Sequence, residues 1–145
     1  MSLIIAQPKE LIAAFVNVRQ GYPTESPWGY FNALGLIRSD TLVAGIIYNA
    51  DEAANICMHI GADDGARWLT PAFLFAAFDY PFNQRRKNRV TALLREGNDR
   101  AIEFVKHLGF EHEGTLKDYF DNGDARYIYG LRREQCRFLE MKKAA

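Results

Sequence analysis

The chain offers few groups that could move a proton near neutral pH. Of its three histidines, His59 stands in the largely apolar run 55–60. There it is either a polar side chain at the edge of a sheet or a group whose ordinary pKa suits proton transfer. Glu96 closes a second apolar run, as a solvated loop acid or as a carboxylate that holds an amine or a water. His107 and His112 have no His or Cys partner at ligand spacing, and Cys57 and Cys136 form no Cys-x-x-Cys pair. The pattern predicts no metal site and no disulfide scaffold, but two reduced thiols of a cytoplasmic protein. Arg85, Arg86, Lys87 and Arg89 make a basic run that reads as a solvated loop or as a contact for phosphate or an acidic group. Two helix starts add anion chemistry. Thr70 suits an N-cap with Pro71 as the first helical residue, and Asn98 caps a second helix with Arg100 just inside it. A helix N-terminus leaves N–H groups unpaired and carries partial positive charge, so it can hold a pyrophosphate.

The elements that must position these groups follow from periodicity and turn chemistry. Residues 8–20 read as a helix, with Pro8 at the first position, Leu11, Ile12, Phe15, Val16 and Val18 as its apolar stripe, and Gly21 at its end. Residues 21–29 form a loop, and strands at 30–38, 41–48 and 55–60 are spaced for an antiparallel meander. Gly45 inside the second strand marks a bulge or a close backbone approach. Leu74, Phe78 and Phe82 recur at helical spacing as core positions, and Pro81 should end or kink that helix near Tyr80. Residues 89–95 read as a strand. Asn98 then starts a helix bearing Ala101, Ile102, Val105 and Leu108 on one face, and Gly109 ends it. Runs 111–120 and 125–132 flank Asp121-Asn122-Gly123-Asp124, a strong hairpin signal. Strands and helices are mixed, with one parallel crossover between the strands 55–60 and 89–95.

Composition narrows the function. The 145 residues fit a single domain, 1–145, and 18 basic against 18 acidic side chains leave no net charge. That balance argues against a nucleic-acid or membrane-surface binder. At 48% hydrophobic and 25% charged the chain is an ordinary globular composition. A chain of this size buries roughly two-thirds of its unfolded surface. No apolar run approaches the ~18 residues of a membrane span, and the first six residues lack the basic segment of a secretory signal.

Residues 67–131 resemble the GNAT superfamily of acyl-CoA N-acyltransferases. The resemblance is strongest in Asn98-Asp-Arg-Ala-Ile-Glu-Phe-Val-Lys-His-Leu-Gly-Phe-Glu-His-Glu-Gly114. The pattern N-x-x-A … L-G-F-x-x-E-G is typical of the branch that holds ribosomal-protein and spermidine acetyltransferases, and phage-encoded relatives share these features. The family's acyl-CoA loop, Arg/Gln-x-x-Gly-x-Gly/Ala, is best matched by Arg67-Trp68-Leu69-Thr70-Pro71-Ala72. Asn98 follows Arg67 by 31 residues, near the usual family separation. A second alignment runs over Ala62-Asp63-Asp64-Gly65-Ala66-Arg67, in which Asp63 and Asp64 are expected to face solvent. In the preferred one, Thr70 replaces a Gly and Pro71 removes an N–H.

The resemblance implies a mixed α/β (α+β) fold: a mainly antiparallel sheet flanked by helices. A splay between the fourth and fifth strands admits pantetheine. It implies acetyl transfer from acetyl-CoA to a primary amine by direct attack, with no metal. His59 would be the base and Glu96 a second catalytic group. Ile60, Arg67, Trp68, Thr70, Ala72, Asn98 and Arg100 would bind cofactor. Val105 occupies the position of the tyrosine acid found in many relatives. Tyr119, Tyr127 and Tyr129 read as packing residues. The acceptor, a small-molecule or peptide amine, stays open among protein N-termini, polyamines, antibiotics and lysines, and a homodimer is among the expected assemblies. The departures in the loop motivate an alternative: a degenerate domain of this fold that binds CoA or a protein without catalysis. A further rival reuses the fold structurally, with Trp28, Tyr30 and Phe31 at an interface.

Overall fold

A computed structural model describes residues 2–63 and 67–140. In chain order the elements are β1 (Ser2–Ile5), α1 (Lys9–Arg19), β2 (Phe31–Arg38), β3 (Thr41–Glu52), β4 (Asn55–Ala62) and α2 (Pro71–Asp79). They continue with β5 (Arg89–Arg95), α3 (Asp99–Leu108), β6 (Glu111–Leu116) and β7 (Arg126–Arg132), followed by short 3-10 turns. The strands form one sheet in the order β1-β2-β3-β4-β5-β7-β6. Every neighbouring pair is antiparallel except β4 and β5.

That parallel pair is short. Asn55, Ile56 and Cys57 face Arg89, Val90 and Thr91. β4 then runs on to Ala62 and β5 to Arg95 without pairing to each other. The fourth and fifth strands therefore part along most of their length, as the resemblance implies.

Local chemistry accounts for the ends of the helices. Thr70 caps α2, its hydroxyl oxygen accepting from Phe73 N at 3.2 Å, and Pro71 occupies the first turn. Past Asp79 the chain winds into one π-helical turn, Tyr80–Gln84, around Pro81. Asn98 Oδ1 accepts from Ala101 N at 3.3 Å, and Gly109 ends α3 at φ 106°, a left-handed conformation that suits glycine.

The sheet separates two cores. The larger, built on Phe73, Phe78, Phe82, Phe110 and Phe138, lies under α2 and α3. The smaller lies under α1 and consists of Ile12, Ala13, Phe15, Val16, Ala33 and Ile47. Helix α1 sits low on the sheet because Gly35, Gly45 and Gly61 are paired across β2, β3 and β4. A Cβ on Gly45 would meet Val16 Cγ2 at 2.9 Å, and one on Gly61 would meet the Val16 Cα at 3.1 Å. The expected close approach at Gly45 is thus one of three.

Several expectations need correction. Leu11 and Val18, placed on the apolar stripe of α1, are 59% and 53% exposed, because that stripe is narrower than the count of apolar residues suggests. Pro8 is the residue before the helix rather than its first turn. The terminal strand β1 was not expected, since its four residues are defined only by pairing to β2. β3 continues through the polar segment Asn49 to Glu52, with a bulge at Ala50, whose φ is 50°. The β6–β7 hairpin is shorter than its sequence signal. Tyr119 N and Phe120 N both donate to Asp124 O, so Asn122-Gly123 turns within a longer loop instead of closing the ladder.

Candidate active site

Where β4 and β5 part, a cavity of about 580 Å³ opens, within the usual range for small-molecule and cofactor sites. It runs through the sheet. On the α3 side it is lined by Met58, Ile60, Ala92, Leu94, Trp68, Phe104 and Val105. These belong to or pack against the larger core, so this half is an apolar slot. On the α1 side the lining is polar: His59, Arg95, Arg126, Arg19, Gln20 and Tyr22. Strand alternation divides the two sets, since successive side chains point to opposite faces.

The same alternation governs the backbone. Asp63 N donates to Val43 O at 3.0 Å, and the β3–β4 register is continuous back to Cys57. In an antiparallel ladder, N–H and C=O groups turn to alternate sides. The amides of His59 and Gly61 therefore point to β3, and those of Met58 and Ile60 point away from it; the Cys57–Thr91 bridge takes up the Met58 amide, which leaves that of Ile60 in the opening. The Ile60 carbonyl on that side accepts from Gln20 Nε2 at 3.1 Å.

His59 is held from two directions. Its Nε2 lies 2.9 Å from Asn49 Oδ1, and Trp28 packs on the ring with centroids 4.5 Å apart. Since Asn49 presents an acceptor, Nε2 carries the proton and Nδ1 keeps the lone pair. Trp28 Nε1 donates in turn to Asn17 Oδ1 at 2.7 Å. Asn17 is 1% exposed, and its Nδ2 ties down the carbonyls of Thr24 and Ser26. One buried amide on α1 thus shapes the loop 21–29 and, through Trp28, seats the histidine. Burial, and then the Arg126 charge, hold the His59 pKa down to about 4. The ring is neutral at pH 7.

The other expected residues divide. Ile60, Trp68, Asn98 and Arg100 line the cavity with His59. Arg67, Thr70, Ala72 and Glu96 do not. Glu96 is exposed, and its carboxylate accepts from Ala125 N at 2.8 Å, which ties the β5 end to the β7 start. Arg67 is exposed. At the start of α2, Thr70 N donates to Trp68 O, Pro71 has no N–H and Phe73 N donates to Thr70 Oγ1. Among the described residues only the Ala72 amide of that turn is left for an anion. Residues Asp64, Gly65 and Ala66 of the second alignment lie outside the described residues, and Asp63 pairs with Arg19 at 2.7 Å.

The basic run is engaged elsewhere. Arg85 and Lys87 both pair with Asp51, and Arg89 makes a two-pronged pair with Glu113. Lys87 is buried, not solvated. Trp28 is turned inward onto His59 rather than outward to an interface. The cavity residues that sequence reasoning missed are Arg19, Arg95, Arg126, Tyr22 and Phe120. Arg126 alternates along β7 with the noted tyrosines, and that period was the available signal. Among the described residues no group of His, Cys, Asp and Glu could hold a metal ion, and no helix is long and apolar enough to cross a membrane.

No protein-family profile matches the chain, and no curated protein sequence matches it. Solved structures do. Spermidine N-acetyltransferase from Vibrio cholerae, a dodecamer in an intermediate state, superposes with a TM-score of 0.73 at 12% identity, covering 92% of this chain and 94% of its own. Ribosomal-protein-S5-alanine acetyltransferase from Vibrio fischeri gives a TM-score of 0.67 at 12% identity, with 94% of each chain covered. The parallel strand pair that splays, the antiparallel strands around it and the flanking helices are common to this architecture. The chain has the fold of the GNAT acyl-CoA N-acyltransferases.

Proposed function

We propose that the protein is an acyl-CoA-dependent N-acyltransferase that moves an acetyl group to a primary amine by direct transfer. The observation that carries this reading is the cavity through the sheet, with an apolar slot on one side and a neutral, positioned imidazole on the other. When bound, acetyl-CoA supplies an acetyl group already activated as a thioester. Trp68, Phe104, Val105, Ala92 and Leu94 would enclose its pantetheine arm. The amide of Ile60, the first on β4 beyond the paired stretch, would donate to a carbonyl oxygen, where fixed dipoles in a dry site are worth most. Asn98, Arg100 and the Ala72 amide would face the phosphates.

His59 Nδ1 would take the proton of the attacking ammonium. Its low pKa makes it a relay that returns the proton to water rather than a store. With Val105 at the position of the acid, the sulfur would leave as thiolate. Glu96, tied to Ala125, would keep the hairpin closed beside the site. The reaction needs no metal.

Calorimetry with acetyl-CoA tests the placement. Asn98→Ala and Ala72→Glu should each weaken binding, the second by about tenfold or more, because a carboxylate placed at the amide repels phosphate. Unchanged affinity in both refutes it. The self-capped start of α2 favours a second reading, a CoA-binding or protein-interaction module without catalysis. Thiol release from acetyl-CoA with a panel of amines separates the two.

A further inference from the structure

We propose that the acceptor is a primary amine that itself carries a nearby anionic group, a carboxylate or a phosphate, and that Arg126 holds that group on the α1 side of the opening. The inference rests on the acyltransferase reading and deepens it by giving the acceptor a chemical class.

Its basis is the charge accounting of the α1 side. Arg19 is neutralised by Asp63 and Arg95 by Asp124. Arg126 has no acidic partner among the described residues, and its Nε is buried with no hydrogen-bond partner. Instead its guanidinium lies against the rings of Tyr119 and Phe120, 5.1 and 5.6 Å from their centroids. Arg126 is half-buried, and a guanidinium whose Nε is cut off from water without a counter-charge is poorly compensated, so the opening suits a ligand that brings the charge.

The position fits an acceptor. Arg126 pairs across the ladder with Arg95, and strand alternation puts both on the sheet face that carries His59. The guanidinium is near enough for its charge to depress the imidazole. The apolar slot and Arg100 at the start of α3 lie toward the other face. An anion at Arg126 would therefore anchor the acceptor beside the base. A planar guanidinium binds carboxylate and phosphate through paired hydrogen bonds. A polyamine offers no such group and would bring like charge to Arg126.

Thiol release from acetyl-CoA is measured with β-alanine and O-phosphoethanolamine against putrescine and spermidine. At least one anionic amine is expected to exceed both polyamines in kcat/KM by tenfold or more, and the two anionic arms tell carboxylate from phosphate. Arg126→Gln should lower that kcat/KM by about 10- to 100-fold, mainly through KM. Arg126→Lys should recover part of it, and the affinity for acetyl-CoA should stay unchanged in both. Preference of the wild-type protein for either polyamine, or equal loss for all four amines in Arg126→Gln, overturns the inference. A second readout needs no turnover and no variant. β-Alanine or O-phosphoethanolamine should shift the His59 ring resonances of the wild-type protein, and putrescine should not. Absence of that shift overturns the inference. A shift in a protein that fails to bind acetyl-CoA supports the anion site and overturns the acyltransferase reading instead.

Discussion

His59 stays neutral first because its surroundings exclude water, and second because the Arg126 charge opposes its own. It is 8% exposed, stacked on Trp28, with Asn49 accepting its one N–H. The consequence reaches stability. With a folded pKa of about 4 against 6.5 when unfolded, the unfolded chain takes up the proton first as pH falls. Stability is then full above about pH 6.5 and declines between pH 6.5 and 4, by a total of about 3 kcal/mol at most. His59→Gln keeps a donor for Asn49 but cannot titrate. In urea titrations at pH 7 and pH 5, the difference between the two pH values should shrink in the variant. An equal pH dependence in both proteins would place the acid sensitivity elsewhere. Activity should fall by about 10²- to 10⁴-fold in His59→Gln, the usual worth of a positioned base.

Helix α2 holds the feature in which this chain departs most from the fold's anion site. The Thr70 hydroxyl takes the Phe73 amide that a glycine at that position would leave free. Thr70→Gly should therefore cost only a few tenths of a kcal/mol in stability. It should tighten acetyl-CoA binding several-fold, because a second amide joins that of Ala72. Calorimetry beside a thermal melt checks both halves. Weaker or unchanged binding would mean that the phosphates sit at α3 alone. Such local devices were legible in the sequence: the Thr70-Pro71 start, the span of β5, and both ends of α3 at Asn98 and Gly109 depend on neighbours in the chain. What escaped depends on partners far away. β1 exists through its pairing with residues 35–38. Asn49 matters to His59 because a neighbouring strand delivers it, and Asn17, on α1, because the loop brings Trp28 between them. Arg126 enters the site only because β7 lies next to β5. His59, Ile60, Trp68, Asn98 and Arg100, named from the sequence because the resemblance spans or adjoins them, line the cavity. The polar half of the cavity was otherwise not legible, for its residues come from α1, the loop 21–29 and β7.

At the scale of the molecule, the two halves of the cavity rest on cores of unequal size. The apolar slot is backed by the large core under α2 and α3, where Phe78 packs against Phe82, Phe110 and Phe138. The polar half is backed by α1, held by the small core, the Arg19–Asp63 pair and Asn17. Fewer buried contacts mean a lower free energy of local opening, so α1 and its loop should open without the rest. Hydrogen exchange in two conservative variants separates this from a single cooperative unit. Ile56→Val, in the large core, costs about 0.5–1.5 kcal/mol. It should speed exchange of β5 and β7 amides and leave α1 amides unchanged, because Ile56 stays packed when only α1 opens. Ile12→Val, in the small core, costs about the same and should speed both groups, since every opening exposes it. If Ile56→Val speeds α1 amides as much as those of β5, the layers unfold together. If it does not, the polar side of the opening can loosen while the apolar side stays folded, and under the proposed function an amine would enter there without disturbing the apolar slot.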